Sequence, residues 1–82
     1  MRHPVTRLTE IILANFDTDG QVLDSETSFE SLGFDSLVLV ELAVILTREY
    51  AFQVTDELLA DRGTIGAVAD LVAENLARRT AA

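Results

Sequence analysis

From Ser36 to Tyr50 the chain contains neither glycine nor proline, and its apolar residues fall on two faces of a single helix. Leu39, Leu42, Ala43, Leu46 and Tyr50 recur at spacings of three and four, which predicts a helix with a core-facing stripe. At about 100° per residue, Leu37, Val40 and Val44 lie on roughly the opposite side, bordered by Glu41 and Arg48. A helix apolar on both sides is either buried twice over or leaves one side for a partner. A chain of 82 residues has too little volume to bury both. The segment therefore predicts a small helical domain with one apolar row facing outward.

The rest of the chain supplies partners for the inner stripe. Pro4 to Phe16 is a second amphipathic run, with Pro4 suited to a first helical position and Val5, Leu8, Ile12 and Phe16 facing the core. Asp17-Thr18-Asp19-Gly20 ends it. Gln21 to Asp35 is a long polar connection holding one helical turn, Ser28 to Leu32, anchored by Phe29 and Leu32. Asp35 is an N-cap for the run beginning at Ser36. A short helix is expected from Thr55 to Asp61, capped by Thr55 and stopped by Gly63. A last helix follows Thr64, with Val68, Leu71, Val72 and Leu76 as its stripe and Arg78 and Arg79 complementing the dipole at its end. Ala51 to Val54 has strand-like composition but no second strand to pair with. The expected fold is all-α, a four-helix bundle with three long helices, a short third helix and a long first loop, forming one domain over residues 1–82.

Composition excludes several classes of chemistry. There is no cysteine, so disulfides, thiolate metal sites and a cysteine nucleophile are out. The single histidine, His3, stands at the start of the chain, away from any serine that it could activate. Fourteen acids face six arginines and no lysine, for a net charge of −8. Eleven of the acids lie between Asp17 and Asp61, where Arg48 is the only base. Nucleic acid and anionic membranes are therefore not expected partners, and basic protein surfaces are. Met1-Arg2-His3-Pro4 leads into an amphipathic stretch and not into the apolar segment of a signal peptide, so the expectation is a cytoplasmic chain and a monomer.

The sharpest local pattern is Leu32-Gly33-Phe34-Asp35-Ser36-Leu37-Val38-Leu39-Val40-Glu41-Leu42. It places a serine in the first turn of a helix directly after a tight glycine turn. With no histidine or lysine nearby, the Ser36 hydroxyl has no base and is no catalytic nucleophile. The positive end of the helix favours an anion there, so Ser36 is suited to being esterified by another enzyme. A competing pattern, Asn15 to Glu26, approximates a calcium loop. It has acids at the third and fifth places, glycine at the sixth and Glu at the twelfth, but Asn at the first. On that alternative the chain is a single EF-hand-like calcium-binding helical protein.

The stretch Leu32 to Leu42 resembles the acyl carrier protein family, in which a Gly-x-Asp-Ser-Leu motif opens the second helix, and the likeness in helix lengths and acidity covers nearly the whole chain. The resemblance implies that Ser36 carries 4′-phosphopantetheine, donated by coenzyme A through a phosphopantetheinyl transferase. It implies that Asp35, Leu37, Val40, Glu41 and Val44 form the face on which the transferase, ketosynthase, acyltransferase and other synthase enzymes dock. The chain would then be no enzyme but a carrier that holds acyl groups as thioesters. The family often has an acid at Val38 and a polar residue at Leu39, so docking here should be more apolar than usual. Thr64 and Ile65 would pack near the serine, and Leu42, Leu46 and Ile65 would help shelter a growing chain. Phe34 in the motif resembles polyketide synthase carriers more than fatty-acid ones, and Asp35-Ser36-Leu37 fits acyl carriers better than peptidyl carriers of nonribosomal pathways. The ends of the chain resemble a free-standing carrier.

Overall fold

The computed structural model describes residues 4–81, with side chains as far as Arg78. The readings placed on Met1, Arg2, His3 and the Arg79 side chain fall outside the described residues. Among those residues there are four helices: α1 (Pro4–Asn15), α2 (Ser36–Tyr50), α3 (Asp56–Arg62) and α4 (Ile65–Ala81). The expected all-α fold with its short third helix and long first loop is the observed one.

Local chemistry explains most of the boundaries. The α1 spiral closes with the Phe16 amide donating to Ile12 O and Asn15 Nδ2 donating to Ile11 O. A tight turn follows, with Asp19 and Gly20 both at positive φ (55° and 75°) and the Gln21 amide donating to Thr18 O at 3.1 Å. Thr55 caps α3 by accepting from the Leu58 amide, and Gly63, at φ 78°, ends it. Thr64 Oγ1 accepts from the Ala67 amide at the start of α4. Ala51 to Val54 is no strand: Ala51 is the left-handed C-cap of α2, and Val54 is held by a side chain instead. The Val54 amide donates to Thr47 Oγ1 at 3.0 Å, and Thr47 Oγ1 lies 2.8 Å from Ala43 O.

The core joins all four helices. Leu8, Ile12, Leu42, Leu46, Leu59, Ile65, Val68 and Val72 are fully buried, each such side chain contributing about 1.5–3 kcal/mol. α1 packs on α4, and α2 on α3. The α4 stripe is Ile65, Val68, Ala69 and Val72, whereas Leu71 and Leu76 are only half-buried. The buried face is thus rotated toward Ala69, which is fully buried. Arg7 on α1 forks onto Glu49 near the end of α2, Nε to Oε2 at 2.9 Å and Nη2 to Oε1 at 3.1 Å. That hydrogen bond holds the Glu49 carboxyl below its ordinary range.

The long first loop is stitched to the α3–α4 junction by backbone bonds. Phe29 N donates to Gly63 O (3.0 Å), Ile65 N to Thr27 O (3.0 Å) and Gly66 N to Ser25 O (2.8 Å). Ser28 and Thr64 form an isolated antiparallel bridge within this seam. Two of the otherwise orphaned amides at the start of α4 are thereby satisfied by the loop. No described helix is long and apolar enough to cross a membrane.

Candidate functional site

The turn before α2 is built to deliver one exposed residue. Ser28 to Leu32 forms the expected single helical turn, with the Leu32 amide donating to Ser28 O. Gly33, at φ 74°, closes it: Gly33 N donates to Glu30 O at 3.0 Å and Phe34 N to Phe29 O at 3.0 Å. This pair of bonds is a Schellman motif, which needs a left-handed residue at the glycine and brings the next side chain back onto the turn. The Phe34 ring accordingly stacks on Phe29, centroids 6.3 Å apart and planes 10° apart, and tilts against Phe16 at 5.4 Å. Sequence reasoning missed this aromatic trio, although its members sit where three apolar anchors bracket a polar loop.

With Phe34 locked, Asp35 is extended (φ −83°, ψ −178°) and caps α2. Its Oδ1 accepts from Val38 N at 3.0 Å and its carbonyl from Leu39 N at 3.0 Å. Ser36 is the first helical residue and is exposed. Among the described residues nothing bonds its hydroxyl, and the amides of Ser36 and Leu37 are the open donors at this helix end.

The outer row emerges as the periodicity predicts. Leu37 is 68% exposed, Val40 43% and Val44 47%, with Glu41 and Arg48 exposed beside them, while Leu39, Leu42, Ala43 and Leu46 are buried on the other side. Asp35, Ser36, Leu37, Val40, Glu41 and Val44 thus share one accessible surface.

An open depression of about 580 Å³ lies beside Asp35, lined chiefly by Phe29, Phe34, Leu39, Ala60 and Thr64. Thr64 meets it, but Ile65 points into the core and is fully buried. The expectation of a shelter among Leu42, Leu46 and Ile65 is corrected here. All three are fully buried core side chains, and neither depression flanking α2 is lined by any of them. The concave space lies outside the core because the core needs those residues to close.

The calcium-loop alternative also fails on geometry. Asp17 Oδ1 accepts from Asp19 N, and Asp24 Oδ1 accepts from Glu26 N and from the Thr27 hydroxyl. The segment is two tight turns, and among the described residues no exit helix follows Glu26 before α2 begins at Ser36. Among the described residues no three His, Cys, Asp or Glu side chains converge to hold a metal ion.

Residues 6–72 match the model of the family described as phosphopantetheine attachment site. The chain belongs to the phosphopantetheine attachment-site family. The prosthetic group of such a domain is covalent 4′-phosphopantetheine. The features around Ser36 fit that group: an exposed hydroxyl, open amides able to face an esterified phosphate, and a mixed apolar and polar depression alongside.

Two curated relatives of this attachment domain bear on what such a domain does. It is 32% identical over 62 residues to "Non-reducing polyketide synthase 1" of Elsinoe fawcettii, covering 76% of this chain and 3% of that protein. It is 31% identical over 78 residues to "Acyl carrier protein 5, chloroplastic" of Arabidopsis thaliana, covering 94% of this chain and 56% of that protein. The chain spans about half the length of the second and a small fraction of the first. No solved structure matches.

Proposed function

We propose that this attachment domain is an acyl carrier and that Ser36 is its attachment residue. The observation that carries the reading is the exposed Ser36 at the first position of α2, behind the Gly33 turn, in a chain whose residues 6–72 match the attachment family. In the loading step the Ser36 Oγ bonds to the phosphorus of the pantetheine arm, the phosphoanhydride of coenzyme A breaks, and the nucleoside bisphosphate leaves. The hydroxyl proton passes to a base of the transferase, since this chain holds no lysine and its one histidine is His3. When bound, the arm supplies a thiol that holds the acyl group.

The chain's own contribution is positional. Asp35 fixes the turn of helix that bears Ser36, and the core stripe of α2 holds that helix rigid. The outer row, Leu37, Val40, Glu41 and Val44, gives transferase, ketosynthase and acyltransferase a surface to grip. Docking converts delivery of the acyl group into a tethered encounter at high effective concentration. The name of the first relative supports polyketide biosynthesis as the setting, with fatty-acid-like biosynthesis as the alternative; a cytoplasmic monomer is part of the same proposal.

Incubation with coenzyme A, magnesium and a promiscuous phosphopantetheinyl transferase tests the reading by intact mass. The wild type is expected to gain one arm. Ser36→Ala is expected to gain none while keeping its helical circular dichroism. A wild type that stays unmodified overturns it.

A further inference from the structure

The outward surface of α2 changes charge sign along its length. Asp35 and Glu41 stand toward the Ser36 end, and Arg48 stands in the last turn, about 18 Å farther along the axis from Ser36. Arg48 is the only base between Asp17 and Asp61. It borders a second depression, of about 320 Å³, whose apolar wall is Val40, Ala43, Val44 and Val54 and whose rim holds Gln53 and Asp56.

The chain's other described cation near this end of α2, Arg7, is committed to Glu49 through a two-pronged bond. Arg48 forms no ion pair among the described residues, although Asp56 borders the same depression. An arginine with its planar array of donors open, at the lip of an apolar hollow on an otherwise acidic face, suits a carboxylate arriving with an apolar side chain. A purely helical role for Arg48, complementing the dipole, would explain its place in the last turn. It would not explain the hollow beside it.

Resting on the carrier reading above, we infer that the synthase enzymes docking this chain present a polarised counter-surface. Near Ser36 they offer bases to Asp35 and Glu41. At the far end they seat an apolar side chain in the Val40–Val44–Val54 hollow and pair a carboxylate with Arg48. Arg48 is therefore a specificity residue that turns away partners whose docking surface is basic throughout, by placing like charges opposite each other.

The test uses the loaded chain and the ketosynthase that accepts acyl groups from it. Arg48→Glu is expected to lower kcat/KM for acyl transfer at least tenfold at low salt, through KM, with the gap narrowing as salt is raised. Arg48→Lys retains most of the wild-type rate. A single Asp or Glu to Arg change on the ketosynthase restores transfer from Arg48→Glu. Transfer by Arg48→Glu within twofold of wild type, or faster, overturns the proposal. So does sedimentation showing that the wild type is a dimer through this face and that Arg48→Glu is a monomer. Attachment of the arm at Ser36 is measured by intact mass on every variant. If it fails in the wild type, the carrier reading falls; if it succeeds throughout while Arg48→Glu transfers normally, only the polarised docking falls.

Discussion

The amide of Gly66 donates to the carbonyl of Ser25 across 2.8 Å, and a Cβ placed on Gly66 would lie 2.7 Å from that same oxygen. Glycine in the first turn of α4 is therefore what lets the first loop lie flat against the α3–α4 junction, and that loop leads directly into the turn presenting Ser36. Gly66→Ala gains about 1 kcal/mol of helix propensity and loses more, because overpacking against backbone costs about 1–3 kcal/mol and the seam must shift. A net loss of stability is expected, read as a melting midpoint lowered by several degrees. An unchanged or higher midpoint would show that the seam yields freely.

Gly33 makes the opposite case. A Cβ there meets nothing within 4 Å, yet φ is 74°. Gly33→Ala is expected to cost about 1–2 kcal/mol from backbone conformation alone, without displacing a neighbour. Chemical denaturation should show this cost, and the variant should still accept the arm at Ser36.

Asp35 has two separable jobs. Its Oδ1 caps α2 through the Val38 amide, and its charge stands beside Ser36. Asp35→Asn keeps a capping oxygen and should stay within a few tenths of a kcal/mol of wild type, whereas Asp35→Ala should lose about 1 kcal/mol. If the transferase reads the charge, loading of Asp35→Asn slows despite its intact stability. Equal loading rates for Asn and Asp would assign the residue to capping alone.

Thr47 ties α2 to the segment before α3. Its Oγ1 accepts from the Val54 amide at 3.0 Å. Thr47→Val keeps the shape and leaves that half-buried amide without its acceptor, at a cost of about 1–3 kcal/mol. Amide hydrogen exchange at Val54 is the direct readout and should accelerate in the variant.

The Arg7–Glu49 fork predicts an acid-side dependence. Glu49 titrates lower in the folded chain than its ordinary value of 4.5. Its contribution is therefore fully present above about pH 4.5 and is lost as the pH falls through the depressed folded value. Both groups are largely solvated, so the effect is small and weakens with salt. Glu49→Gln should flatten the acid limb of the stability curve, and an unchanged limb would show that the fork contributes nothing.

The local order along the chain decided much on its own. The two-sided apolar pattern of Ser36 to Tyr50 predicts both the buried stripe and the exposed Leu37–Val40–Val44 row, because helical periodicity maps spacing directly onto direction. Asp35, Thr55, Gly63 and Thr64 mark helix ends for equally local reasons: a cap or a left-handed turn involves only residues a few places away. The position of Ser36 at the head of α2 follows from the same signals.

Contacts between residues distant in the chain are another matter. The seam from Ser25 to Gly66, the contact of Phe16 with Phe34 and the Arg7–Glu49 fork have no signature in spacing, since each depends on how separate elements are brought together. The same is true of the hollow beside Arg48 and of the core that closes over Leu42, Leu46 and Ile65. Direction along a helix is set by 3.6 residues per turn, but which surfaces meet is set by how whole helices share one small core, and only the tertiary structure decides that.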